Sequence, residues 1–305
     1  MPRYVRSVSE SLEEYGRGVA GGLIFSLPLL YTMEMWWTGF SMHPNRLLGL
    51  VSVTFVLLLG YNRFAGLRRD ASWAEVAIDS VEEMGLGFIV SAVILVLLGR
   101  ITAESRLAEI VGKVAIEAMT VAIGISVGTS QLGGGARTRG NDTGKAGAGK
   151  ASHEGEDRGK VDADGGGDAG EHVTFLGQTV LAVCGAVLFA ANVAPTEEIQ
   201  LIAFESSWIG LIGLSLLSMS IGALILFFSA FRGARRFARS GNVAEVLSGS
   251  VITYAIALVT SAAILWFFGR FEHTSGMMMV AQSVVLAFAA SLGASAGRLL
   301  LQSNE

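Results

Sequence analysis

A lysine and a glutamate stand four residues apart, Lys113 and Glu117, in the segment GKVAIEAM, within a run from Leu107 to Ser130 that is otherwise apolar. Two chemistries fit that spacing. One helical turn puts the ammonium and the carboxylate on the same face, where each can neutralise the other as a packing ion pair. Alternatively, the carboxylate can pass a proton or an ion along a water-filled path. At about 100° per residue, Lys113, Gly124, Glu117 and Gly128 fall at about 0°, 20°, 40° and 60°. The charges therefore share a face with small residues and point toward protein rather than lipid. Glu117 lies roughly 15 Å from the outer end of its helix, near the bilayer middle. A charge there costs at least about 2.5 to 3.5 kcal/mol, and Lys113 is its natural partner one turn away.

A second group of acids, Glu75, Asp79, Glu82 and Glu83, makes one stripe at the start of another apolar run. The helix dipole favours acids at an N-terminus, and Trp73 beside them suits a membrane interface. The same stripe could instead form a vestibule that attracts cations. Asp79, Glu82 and Glu83 thus join Lys113 and Glu117 as ion or proton pathway candidates. Glu34, Glu104, Glu197, Glu198 and Glu205 are expected to be solvated near the outer ends of their segments, and Met277, Met278 and Met279 to make lipid or core contacts.

No H-E-x-x-H or H-x-x-E-H zinc motif, no nucleophile elbow and no pair of carboxylates at metal spacing occurs within the apolar runs. No catalytic residue, metal site or cofactor is expected, and the chain reads as something other than an enzyme. The single cysteine, Cys184, excludes a disulfide framework. GKAGAGK, from Gly144 to Lys150, begins like a phosphate loop, but Ala151 stands where Ser or Thr would hold magnesium. His153 and His172 lie among acids in the same polar stretch, which reads as a solvated linker.

The elements that must carry these residues are membrane helices. Of the 305 residues 51% are hydrophobic and 16% charged, and the mean hydropathy is +0.54. Eight apolar stretches are long enough to cross about 30 Å of hydrocarbon. They run from Gly16 to Trp37, Leu47 to Asn62, Val81 to Gly99, Leu107 to Ser130, Val173 to Ala194, Trp208 to Phe228, Val243 to Gly269 and Met277 to Leu300. The fold class is all-α, a polytopic membrane protein with eight transmembrane helices. The first stretch has no small-residue cleavage site after it and reads as a retained helix. Leaving aside six basic residues in the long central loop, eleven fall on one side of this topology; only Arg46, Arg100, Arg106 and Arg270 fall on the other. The positive-inside rule then makes both termini cytoplasmic, in a cell (inner) membrane.

Three regions follow: a first four-helix unit over 1–130, a Gly-rich acidic insert over 131–171, and a second unit over 172–305. The insert is too poor in apolar residues to form a core and is expected to be a disordered cytoplasmic linker. The two units read as an internal repeat. Ala74 to Ile101 aligns without gaps to Ala244 to Phe271, identical at 11 of 28 positions, and Phe64, Gly66, Arg68 and Arg69 match Phe231, Gly233, Arg235 and Arg236. Four spans per unit make the repeat parallel. At the offset of 170, Lys113 falls on Ser283 and Glu117 on Ala287, so the buried charge is confined to the first unit. GISVG from Gly124 matches GASAG from Gly293. With Gly18 and Gly22, the pairs Gly124/Gly128 and Gly293/Gly297 are small-residue patterns that let helices approach closely, within one chain or in a homo-oligomer.

The Phe-x-Gly-x-Arg-Arg loop, the segment AEVAIDSVEEMGLG and the N-terminal YVRSVSESLEEYGRGVAGGLIFSLPLLYTMEMWW resemble a prokaryotic family of integral membrane proteins classed only as a domain of unknown function. The resemblance covers nearly all of the chain except the insert. It implies a multi-span protein of the inner or cell membrane and no assigned substrate or site. The reading from the residues is a transporter or channel for a small solute or ion in the lipid bilayer. The competing one is a scaffold or sensor whose insert and Arg-rich loops, FRGARRFARS above all, bind a cytoplasmic partner or anionic lipid headgroups. Neither involves nucleic acid.

Overall fold

The computed structural model describes residues 8–30, 32–66, 72–132, 167–233 and 243–302. Its regular elements are all helices: α1 (Val8–Leu30), α2 (Met33–Ser41), α3 (Pro44–Ala65), α4 (Trp73–Leu97), α5 (Leu107–Leu132), α6 (Gly167–Ala191), α7 (Glu198–Glu205), α8 (Trp208–Gly233), α9 (Val243–Phe267) and α10 (Gly276–Gln302). Most of the insert, and most of FRGARRFARS, lie outside the described residues. α5 and α6 both extend into the stretch expected to be linker, by two and five residues.

Six of these helices are long and apolar enough to cross a membrane: α3, α4, α5, α8, α9 and α10. α6 contributes a shorter apolar stretch, Phe175–Ala191. The first apolar run does not form one helix. α1 ends at Leu30 and Trp37 belongs to the separate helix α2. Pro28 near the end of α1 explains the division, because proline removes a backbone donor and crowds the preceding turn.

Local sequence sets the other helix ends. His43 caps α3 by accepting a hydrogen bond from the Asn45 amide, with Pro44 at the first helical position. Ser72 and Glu75 form a capping box at the start of α4. α4 and α9 end alike. Gly99 (φ +68°) and Gly269 (φ +72°) adopt the left-handed conformation that closes a helix, and the next amides, of Arg100 and Arg270, donate to the carbonyls of Leu95 and Leu265.

α5 is the most enclosed candidate span, 78% buried against 17% for α8, so α5 forms the interior and α8 the periphery. α5 packs chiefly on α1, with α4, α2 and α3 around it; α10 packs chiefly on α6, with α9, α8 and α7 around it. Glycines permit both main crossings. Gly21 lies against Gly124 and Gly128, and Gly185 against Gly293 and Gly297, so closely that a Cβ would meet backbone. α3 joins the two groups. The Cys184 thiol donates to the Leu57 carbonyl at 3.6 Å, and Gly60 faces Val180. At the end of the bundle that holds α2 and α7, Arg46 bridges to Glu272 at 2.7 Å.

Candidate functional site

The described sequence candidates separate into two places along α5. Gly124 and Gly128 face α1, where Gly21, Gly22, Phe25 and the Arg17 carbonyl lie. Glu117 shares that face of the helix wheel. α1 and α5 are antiparallel with Gly21 beside Gly128, so extending the register brings Glu117 level with the end of α1. The chain breaks there between α1 and α2.

Glu117 is fully enclosed, with 0% of its surface exposed, and neither carboxyl oxygen has a hydrogen-bond partner. The expected pairing with Lys113 is absent. The Lys113 ammonium instead donates to the Glu109 carboxylate at 2.5 Å and to the Arg100 carbonyl at 2.9 Å. Both reasons are physical. A lysine near a helix end extends toward the polar boundary, and a Glu four residues before a Lys is the favoured order of the pair. Pairing with Glu109 meets both conditions, whereas pairing with Glu117 would draw the ammonium inward. Close by, the Arg100 guanidinium stacks over Trp36 at 4.4 Å, and Gly39 of α2 lies against Gly112 and Lys113.

The polar environment of Glu117 is therefore sparse. Just before the break, the Ser26 hydroxyl donates to the Gly22 carbonyl. Pro28 cannot donate to the Ile24 carbonyl, and the last carbonyls of any helix lack helical partners. Asn192, beyond the end of α6, donates to the Phe25 carbonyl at 3.1 Å, while its own side-chain oxygen is buried and unpartnered. No hydrogen bond among the described residues joins these groups to the Glu117 carboxyl, and an enclosed carboxyl without a partner is better kept neutral by a proton, or countered by a cation, than left as a bare carboxylate.

The second place is at the opposite end of α5. Glu83 accepts hydrogen bonds from Asn62 Nδ2 at 2.7 Å and Thr129 Oγ1 at 3.3 Å. Asn62 also donates to Ser80 Oγ at 3.1 Å and accepts from Ser126 Oγ at 2.9 Å. Tyr15 donates to Glu82 at 3.4 Å across the mouth of a cavity of about 40 Å³, which Asp79, Glu82 and Glu83 line. That volume holds a water or two. Glu75 stands apart as the cap of α4.

Sequence reasoning missed Asn62, Ser126 and Thr129. Their signal was polar residues within apolar runs, but Asn62 and Ser126 are 64 residues apart and only packing joins them. It also missed Gly21 and Gly185, the residues facing the expected Gly124/Gly128 and Gly293/Gly297 pairs. Gly18 and Gly22 contact Ile125 and neighbouring side chains on the same α1–α5 interface.

Comparison with known families agrees with the helical, apolar character of the chain. Residues 14–301 match the family described as "Putative integral membrane protein (DUF2391)", and the chain belongs to that family. No curated protein and no solved structure matches it.

Proposed function

We propose that this member of an integral-membrane family is an eight-span transporter or channel for a small ion or solute, with Glu117 as the group that takes up and releases charge. The observation that carries the reading is the carboxyl itself: fully buried, within a helix long and apolar enough to cross a membrane, with both oxygens unpartnered. A carboxylate placed there costs at least about 2.5 kcal/mol. A residue used only for packing would be better as Leu or Gln, so the carboxyl chemistry is what that cost sustains. The break between α1 and α2 adds to the case, because interrupted helices supply the free carbonyls and helix ends that bind ions in membrane proteins.

In this reading α1 and α6 are the seventh and eighth spans, and the chain is a parallel repeat of four spans each. Its support is the order of helices, long, short, long, long and long in each half, together with the matched caps at Gly99 and Gly269 and the matched glycine crossings. Matching the two glycine crossings aligns α5 with α10. Gly124 and Gly128 fall on Gly293 and Gly297, an offset of 169, so Lys113 pairs with Gln282 and Glu117 with Leu286 in place of Ser283 and Ala287. The basic-residue bias supports cytoplasmic termini in the cell membrane. The scaffold alternative rests on the insert and the Arg-rich loop, which lie mostly outside the described residues.

The test is flux in liposomes containing the full chain, following protons and alkali cations with entrapped dyes. Wild type should support flux of a cation, and Glu117→Gln should fold with near-native stability yet lose most of it. Undiminished flux in a folded Glu117→Gln protein would remove Glu117 from the mechanism.

A further inference from the structure

At the α2–α7 end of the bundle, the two halves each carry a cleft between the short helix and the loop that follows the glycine cap. In the first half, Trp36 of α2, Arg100 and Lys113 line it. In the second, an open cleft of about 890 Å³ lies between α7 and the α9–α10 loop, lined by Glu197, Glu198, Phe204, His273, Met278 and Gln282. The equivalence set by the glycine crossings places Gln282 where the first half has Lys113.

The difference in filling is chemical. In the first cleft the chain supplies its own cation, because the Lys113 ammonium is held by the Glu109 carboxylate and the Arg100 carbonyl. The second cleft has no lysine there. Gln282 is 2% exposed and its side-chain oxygen has no hydrogen-bond partner. Interchanging the amide oxygen and nitrogen would turn that oxygen elsewhere but still leave a buried amide group unsatisfied.

Glu272 is paired with Arg46. Burial holds the Arg270 guanidinium below the usual arginine range, while Glu197 and Glu34 raise it again. Glu198 forms no ion pair with a described residue. His273 sits at the rim with φ +59°. The cleft therefore combines one uncompensated carboxylate and one orphan acceptor with an apolar rim, in which Phe204 is 76% exposed. A bare metal ion would need a tighter oxygen cage than this wide opening provides. An ammonium on an apolar stem matches every part: the charge for Glu198, an N–H for Gln282, and a stem and cation–π contact for Phe204 and Met278.

We propose that this cleft binds a primary ammonium group carried on an apolar body, near the place that the Lys113 ammonium fills in the first half, with Glu198 as its carboxylate because Met278 stands where the first half has Glu109. The ammonium can belong to a free alkylamine or to the headgroup of an aminophospholipid. The site is separate from Glu117, so it stands or falls apart from the flux reading, although the use of Lys113 as a template rests on the repeat.

The experiment uses the full chain in detergent, with n-butylammonium as probe and n-butanol as the uncharged control, read by saturation-transfer NMR. Wild type should saturate the ammonium and not the alcohol. Glu198→Gln, a surface change that leaves the fold intact, should weaken binding about tenfold, the loss of one charge-assisted hydrogen bond. Gln282→Lys, which supplies the ammonium from within, should abolish the signal. Repeating the titration in nanodiscs separates the sources: blocking by phosphatidylethanolamine but not by phosphatidylglycerol identifies the headgroup, and equal binding in both identifies a free amine. Equal saturation of alcohol and ammonium, or full binding by both variants, would overturn the proposal.

Discussion

α5 runs through the first half of the bundle as α10 runs through the second. Each is crossed by a neighbouring helix at a pair of glycines, and each starts after a loop that follows a glycine cap. Their side chains differ where the chemistry lies. α5 carries Lys113 and Glu117, one paired and one enclosed without a partner; α10 carries Gln282 and Leu286 at the positions that the proposed repeat matches to them, and Leu286 is fully buried. Near the other end, Glu83 accepts from Thr129, whereas Arg298 donates to Thr253 and to the Gly249 carbonyl. In the proposed repeat the same scaffold holds a carboxyl in one half and an alkyl group in the other, so that helix packing alone does not require Glu117.

The sharpest way to break this comparison is to make the halves alike. Leu286→Glu should cost roughly 3 kcal/mol or more, because it puts an unpartnered carboxyl in a fully buried place that an alkyl group fills. Thermal unfolding in detergent would measure this, and wild-type stability would mean that the second half can hydrate a carboxyl as well as the first. The next largest effect concerns what the halves share. Gly21→Val and Gly185→Val should each destabilise by about 2 kcal/mol by forcing a side chain into facing backbone. Parallel losses in unfolding temperature would sharpen the match, and a loss in one alone would break it.

The smallest effect concerns Lys113. Because its ammonium is held by Glu109, the double variant Lys113→Met/Glu117→Gln should show the sum of the single effects, with a coupling below about 0.5 kcal/mol. A rescue of several-fold that size in the double-mutant cycle would mean that the two groups pair after all.

The apolar runs and the caps made most helices legible in the sequence. Gly99 and Gly269 stood in the repeated Gly-Arg ending, and Ser72 and Glu75 in capping-box spacing. Their interactions are local, within a few residues, so spacing carries the information. The division of the first run was signalled by Pro28, since the stretch from Gly18 to Tyr31 is otherwise apolar or small and its composition alone does not place a turn. Burial of Glu117 followed from the glycines on its face, but the partner of Lys113 did not. Both Glu109 and Glu117 lie one turn from Lys113, and the choice depended on which end of the helix the ammonium could reach. Asn62, Ser126 and Gln282 stayed hidden because their roles depend on contacts across helices.

The central claim is that Glu117 exchanges a proton or cation while enclosed in the membrane. Infrared difference spectroscopy of the reconstituted full chain, stepped in pH and in cation concentration, tests it most directly. A protonated-carboxyl stretching band should appear and vanish reversibly in wild type and be missing from the Glu117→Gln difference spectrum. A band unchanged across every pH and cation concentration, or an identical band in Glu117→Gln, would contradict the claim.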